Sequence, residues 1–152
     1  MRKRCHRRAI TPLPPRGLRQ LLQPDQVRDL AMVHLVNLDL IARGQADEAT
    51  LWQWLGGVFT WSRVADLLQA GQPEMRQQLD LASAVTERYG ATQRIEFAGD
   101  EYALARSGVD VMDQLAERVD QPTACAAADW SQRRIERMAA TGAPAAQGSG
   151  TP

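Results

Sequence analysis

Hydrophobic residues recur along the chain at helical spacing, and helix-breaking residues divide this pattern into segments. The first segment opens with Pro24 and Asp25, which suit the first turn of a helix, and it ends at Gly44. Its apolar residues cover nearly every face, which is typical of a helix surrounded by others. We therefore expect residues 24–43 to form the central helix of a bundle, covered either within one chain or by a second copy in a homodimer.

The second segment, residues 47–70, carries an apolar stripe at alternating spacings of three and four. The members of this stripe are Leu51, Trp54, Val58, Trp61, Ala65 and Leu68. Gly56 and Gly57 interrupt it and lower helix propensity by about 1 kcal/mol each, so they predict a kink or a close helix crossing. A break at Gly71 separates this segment from a third helix that begins at Pro73.

The pattern changes after Gly90, where we expect the third helix to end. Polar and apolar residues alternate over residues 93–104 around a central turn, as they do in a β-hairpin. A fourth helix should follow to about Val119, and a fifth over residues 122–140. The sequence thus predicts a mainly α fold, a bundle of about five helices with one short β-hairpin between the third and the fourth.

Composition indicates one folded domain flanked by two disordered segments. The 152 residues are 44% hydrophobic and 24% charged, close to the average of folded soluble proteins. Three prolines at positions 12, 14 and 15 disfavour helix, and the C-terminal end is rich in Gly, Ala, Pro and Ser. We expect a disordered basic arm over 1–15, a helical domain over 16–140 and a disordered tail over 141–152.

No apolar run approaches the length of a secretory signal core or of a membrane span, which needs about 18 residues. Two cysteines without a CxxC pair fit a reducing compartment. The sequence therefore predicts a cytoplasmic protein that does not associate with membranes.

The formal net charge of zero hides an uneven distribution. Residues 1–19 contain no acid and seven basic residues, namely Arg2, Lys3, Arg4, Arg7, Arg8, Arg16 and Arg19. All acidic residues lie in the rest of the chain, which carries a net charge of −7. Clustered arginines neutralise phosphates and release counterions, so the arm is a candidate for nucleic-acid binding through its first five basic residues. Docking of the arm on the protein's own acidic surface remains open.

Catalytic and metal-binding patterns are absent from the sequence. The only histidines are His6 and His34, and neither they nor Cys5 and Cys125 have the spacing of a metal motif. The chain also lacks a phosphate-binding glycine-rich loop, and it lacks a Ser or Cys placed beside a His together with a third group that orients them. We expect no enzymatic activity, no catalytic residues, no metal and no cofactor.

An aromatic residue lies among arginines on the expected fifth helix. Trp130 and Arg134 are one turn apart, and Arg133 and Arg137 flank them. Such a group can stack on a base or on a guanidinium, which makes it a second candidate nucleic-acid site. The alternative is a half-buried Trp130 covered by Arg134.

Trp52 lies off the apolar stripe of the second helix and is a candidate contact for a protein partner.

The order helix, tight turn, helix and hairpin also suggests a winged helix-turn-helix regulator. In that arrangement the third helix would read DNA, but it carries Glu74, Asp80 and Glu87 against only Arg76 and Arg88. Such a helix repels phosphates, so this remains the least favoured alternative.

Four features together resemble small proteins carried by prophages and related mobile elements. They are the basic run at 1–8, the long helix stopped at 42–44, the segment 52–54, and residues 88–92 before the expected hairpin. The resemblance implies a bacterial accessory factor and supplies no catalytic residues. Our leading hypothesis is a non-enzymatic phage or mobile-element protein that binds a host or phage protein and contacts nucleic acid with its arm. The alternative is an inhibitor or modulator of a host defence or regulatory complex that binds no nucleic acid.

Overall fold

The computed structural model describes residues 20–141, which form five α-helices. These are α1 (Pro24–Ala42), α2 (Glu48–Leu68), α3 (Gln72–Thr92), α4 (Glu101–Ala116) and α5 (Gln121–Thr141). The predicted mainly helical bundle of about five helices is confirmed. The disordered arm expected over 1–15 and nearly all of the tail expected over 141–152 lie outside the described residues.

Helix α2, and not α1, is the central helix of the bundle. It packs against all four other helices, most extensively against α5 and α3, and its buried residues lie on several sides. Helix α1 packs on α2 and α4 and leaves Met32, Val33 and Val36 about half exposed. The prediction that α1 is the central helix was wrong, because hydrophobicity around a helix does not determine how much of it the same chain covers.

Gly56 and Gly57 lie inside an uninterrupted α2 and mark two close helix contacts. A Cβ added at Gly56 would lie 3.2 Å from Ile135 Cδ1 of α5. The hydroxyl of Ser131, also on α5, donates a hydrogen bond to the Gly56 carbonyl oxygen at 2.9 Å. A Cβ added at Gly57 would lie 2.6 Å from His34 Cε1 of α1. The close crossing predicted from the two glycines is therefore confirmed, and each glycine accommodates a different neighbour.

The segment between α3 and α4 is a loop, and the β-hairpin predicted over 93–104 does not occur in the described part of the chain. Helix α4 already begins at Glu101, so it includes the residues expected to form the second strand. Ile95 is buried, and Phe97 meets Trp54 edge-on with 5.6 Å between the ring centroids. The alternating apolar residues thus anchor a loop to α2 and do not form one face of a strand pair.

An ion pair holds this loop in place. Two guanidinium nitrogens of Arg88, on α3, donate to the two carboxylate oxygens of Glu101 at 2.7 and 2.9 Å. Arg88 also donates to the Glu96 carbonyl oxygen at 2.7 Å, and the Ala98 amide donates to Glu101 at 2.8 Å. The hydrogen bonds from Arg88 lower the pKa of the Glu101 carboxyl. This charge-assisted network fixes the loop at the first turn of α4.

Candidate nucleic-acid interface

Aromatic and arginine side chains from two helices meet where α5 packs on α2. The guanidinium carbon of Arg134 lies 4.8 Å from the ring centroid of Phe59 and 5.6 Å from that of Trp130. The guanidinium carbon of Arg63 lies 5.7 Å from the Trp130 centroid. We call these four residues the α2–α5 cluster. Their distances are those of cation–π contacts.

Helical spacing on both helices builds the α2–α5 cluster. Phe59 and Arg63 are one turn apart on α2, and Trp130 and Arg134 are one turn apart on α5. The hydrogen bond between Ser131 and Gly56 sets the register of the two helices, so the two pairs face each other. The sequence identified the α5 pair and missed Phe59 and Arg63, whose only signal was the same aromatic-to-arginine spacing on α2.

The contacts of Trp130 bear on its expected role as a stacking platform for a base. Trp130 is half-buried and packs against the core, and two guanidinium groups already contact its ring. The Arg134 Nε is buried without a hydrogen-bond partner among the described residues, so ring contacts hold this side chain. The geometry matches the alternative interpretation, in which Arg134 covers a half-buried Trp130.

Arg133 and Arg137 differ from Arg134 because both are exposed on the outer side of α5. With Glu136 and Ala140 they line an open surface depression of about 390 Å³. All four residues belong to one helix, so this depression is a groove between side chains and not an enclosed cavity. The Arg137 Nε donates to the Arg133 carbonyl oxygen at 3.2 Å. The two arginines therefore present charge to solvent, where a phosphate backbone can reach them.

Gln20, the first residue that the structure describes, lies next to the first turn of α5. The Gln121 amide donates to the Gln20 carbonyl oxygen at 2.8 Å, and Leu21 pairs with Asp120 in an isolated antiparallel bridge. Arg133 and Arg137 lie roughly 18 to 24 Å further along α5 at the usual rise of about 1.5 Å per residue.

The predicted contacts Arg2, Lys3, Arg4, Arg7 and Arg8 lie outside the described residues. A chain of 19 residues reaches at most about 65 Å when fully extended. Covalent geometry therefore allows the basic arm to reach the exposed arginines of α5.

Trp52, the candidate contact for a protein partner, is partly buried near the start of α2. Its ring packs against the core, and its indole N–H donates to the Glu48 carboxylate at 3.1 Å. Only part of the ring is therefore accessible to a partner. This placement follows from its position beside the apolar stripe of α2.

His34 forms a buried hydrogen bond with Trp61 and does not reach the surface. Its side chain is 8% exposed, and its Nε2 accepts a hydrogen bond from the Trp61 indole N–H at 2.9 Å. Burial lowers the pKa of His34 to about 4, so the imidazole is neutral near pH 7. The neighbouring Asn37 Nδ2 is buried without a partner in the described chain.

Acidic side chains collect on the outer side of α4. Asp110, Asp113 and Glu117 share this side by their helical spacing, and Arg106 precedes Asp110 by one turn. Partial burial, followed by repulsion from Asp110 and Glu117, raises the pKa of the Asp113 carboxyl.

Residues 20–141 as a whole contain 11 arginines and all 18 acidic side chains of the chain. Their negative charge confines the basic surface to a small part of the described protein.

Two other properties of the described residues bear on possible sites. Residues 20–141 contain no group of three or more His, Cys, Asp and Glu side chains arranged to hold a metal ion. Within the same range, no helix is both long enough and apolar enough to cross a membrane.

The winged helix-turn-helix alternative depended on a hairpin as its wing, and a loop occupies that position.

Comparisons of this chain with protein-family models, with curated proteins and with solved structures find no match. The candidate interface is therefore interpreted from its own residues.

Proposed function

We propose that the protein is a non-enzymatic accessory protein of a phage or mobile element that binds nucleic acid. Its contacts are Arg2, Lys3, Arg4, Arg7 and Arg8 of the arm together with Arg133 and Arg137 of α5. The observation that best supports this is the attachment of the arm beside the first turn of α5, the helix that carries the exposed arginine pair. One stretch of nucleic acid can then contact both groups of charges.

The proposed binding works by neutralising phosphates and releasing counterions, and it is therefore insensitive to sequence. Arg134 and Trp130 belong to the interface in a supporting role, because their contacts with Phe59 and Arg63 fix α5 on α2. The net charge of −7 on residues 20–141 repels a polyanion from the other sides of the protein. Binding is thus restricted to the side of the arm and α5, while the remaining surface stays available to a host or phage protein.

Fluorescence anisotropy with labelled, mixed-sequence DNA and RNA tests this proposal over a range of salt concentrations. The variants are a deletion of residues 1–15 and the double substitution Arg133→Ala with Arg137→Ala. Loss of two phosphate contacts should lower the slope of log affinity against log salt by about 2. The matched control is Arg76→Ala with Arg106→Ala, which removes two exposed arginines of α3 and α4 outside the interface and should leave this slope unchanged.

Three results would contradict the proposal. The first is the absence of binding at low salt, and the second is binding that does not change when residues 1–15 are removed. The third is an equal loss of affinity in the α5 variant and in the Arg76 and Arg106 control, because a general charge effect would then explain both.

The second candidate is an inhibitor or modulator of a host defence or regulatory complex that binds no nucleic acid. The acidic side of α4 favours this candidate, since Asp110, Asp113 and Glu117 offer a negative surface to a basic protein. Neutralising these three residues as amides should then abolish capture of a host protein, with Trp52→Ala as a separate test of the aromatic contact. A host protein that binds the neutralised variant as well as the wild type would contradict this role of α4.

A further inference from the structure

The outer side of α1 is apolar at its centre and is left uncovered by the other described helices. Met32, Val33 and Val36 are 54%, 52% and 50% exposed, and Leu40, which is partly buried, continues the same stripe one turn after Val36. The opposite side of α1 faces α2 and α4 with buried residues. We call Met32, Val33, Val36 and Leu40 the α1 outer face. A contiguous apolar stripe of this kind marks a docking surface.

Opposite charges stand at equal distances from the centre of the α1 outer face. Asp29 lies seven residues before Val36, and Arg43 lies seven residues after it. Seven residues make nearly two helical turns, so both charges lie on the same side as Val36, each roughly 10 Å away along the helix axis. Both side chains are exposed. The α1 outer face thus has Asp29, 4.0 Å from Arg28, before its apolar centre, and Arg43, bonded to Asp39 at 3.0 Å, after it.

The geometry points to a second copy of this chain as the occupant of the α1 outer face, with the two α1 helices antiparallel about a twofold axis at Val36. In such an interface every contact occurs twice, so the surface must be complementary to itself. Rotation about Val36 brings Met32 opposite the partner's Leu40 and Asp29 opposite the partner's Arg43. This orientation pairs Met32 with Leu40 and Asp29 with Arg43, and it places Val33 opposite the partner's Asp39, whose carboxylate is bonded to Arg43 of its own helix.

The charges also select the orientation of the pair. A parallel arrangement would place Asp29 against the partner's Asp29 and Arg43 against the partner's Arg43, and like charges facing each other disfavour association. Within its own helix Arg43 uses Nε to bond Asp39 at 3.0 Å. Its terminal nitrogens can therefore reach the partner's Asp29 without breaking that bond.

Residues 1–19 of the same chain complement the α1 outer face less well. Seven of these 19 residues are basic, so they offer scattered positive charge and not a continuous apolar stripe to Met32, Val33 and Val36. A second copy supplies an equal apolar stripe and both charges. This dimer is independent of the proposed nucleic-acid binding, since it uses none of the arginines of α5.

Sedimentation equilibrium of the full chain tests the dimer from low to high micromolar concentration. The mass should rise with concentration from 16.8 kDa toward twice that value. Val36→Arg places two positive charges at the twofold axis and should weaken the dimer by about tenfold or more. The matched control is Leu67→Arg on α2, which alters another apolar residue that is 48% exposed and should leave the dimer unchanged. Circular dichroism checks that both variants fold.

A charge exchange tests the antiparallel register. Asp29→Arg and Arg43→Asp should each weaken the dimer because like charges then face each other, and the double variant should recover much of the lost affinity. A mass of 16.8 kDa at every concentration would overturn the proposal. So would a dimer that is unaffected by Val36→Arg, an equal effect of Leu67→Arg, or a double variant that recovers nothing.

Discussion

The contact between Gly57 and His34 predicts that Gly57→Ala destabilises the protein although alanine is the better helix former. The added Cβ would lie 2.6 Å from Cε1 and 2.9 Å from Nδ1 of His34, well inside van der Waals contact. The ring is buried and bonded to Trp61, so it cannot move aside without losing that hydrogen bond. Overpacking costs about 1 to 3 kcal/mol and a lost buried hydrogen bond about 1 kcal/mol, against a propensity gain of about 1 kcal/mol. We expect a net loss of about 1 to 3 kcal/mol in the free energy of unfolding.

Urea denaturation followed by circular dichroism measures this loss, with Gly90→Ala as the matched control. Gly90 also lies inside a helix, but beyond the backbone of that helix and the two neighbouring residues no atom lies within 4 Å of its added Cβ, so alanine there should stabilise by up to about 1 kcal/mol. In a His34→Ala background, Gly57→Ala should lose most of its cost because the clashing ring is gone. If Gly57→Ala is as stable as Gly90→Ala in the wild-type background, the proposed steric contact is wrong.

Two further predictions concern titratable groups. His34 has a pKa of about 4 in the folded protein, against an ordinary value of 6.5 for histidine, so the unfolded chain binds the proton more tightly. The free energy of unfolding should therefore fall by about 3 kcal/mol as the pH drops from about 6.5 to about 4. His34→Gln should remove this contribution. An equal pH dependence of stability in the wild type and in His34→Gln would contradict the lowered pKa of His34. Glu101→Gln weakens the charge-assisted pair with Arg88, which should cost about 1 to 3 kcal/mol and speed hydrogen exchange at the Ala98 amide. Glu96→Gln is the control, since its carboxylate pairs only at the surface, and an equal effect there would argue against the loop network.

Proline and glycine positions allowed the helix ends to be predicted closely. Helix α1 begins at Pro24 and ends two residues before Gly44. Helix α3 begins one residue before Pro73 but continues past Gly90, because Gln93 takes the left-handed conformation that ends the helix, with φ of 57°. A glycine therefore indicated the end of α3 only to within a few residues, since glycine is also compatible with a helix interior.

The hairpin and the central helix were mispredicted because both depend on tertiary contacts. Ile95 and Phe97 alternate with polar residues as in a strand, but their partners are in the core and on α2, and Arg88 donates one hydrogen bond to the backbone of this loop, at the Glu96 carbonyl oxygen. The apolar residues of α1 were assigned to the core because the sequence does not show which sides of a helix its neighbours cover. Met32 and Val36 lie on a side of α1 that no described helix covers, and both are about half exposed.

The candidate interface was predictable in its local part only. The spacing of Trp130 and Arg134 within α5 indicated their contact, which the structure confirms. The addition of Phe59 and Arg63 depends on the register of α5 on α2, and a single sequence does not specify the register between helices that are distant in the chain. The attachment of the arm at α5 likewise depends on the pairing of Leu21 with Asp120.

The hydrogen bond from Ser131 to Gly56 joins residues 75 positions apart, and this separation has a consequence for synthesis. The ribosome releases α2 long before α5, so the side of the central helix that α5 covers faces water while the remaining helices emerge. Closing such a long-range contact is a slow step, and exposed apolar surface promotes aggregation until it closes. A chain that stops before α5 would keep this surface open permanently, so completion of the last helix decides whether the newly made protein stays in solution.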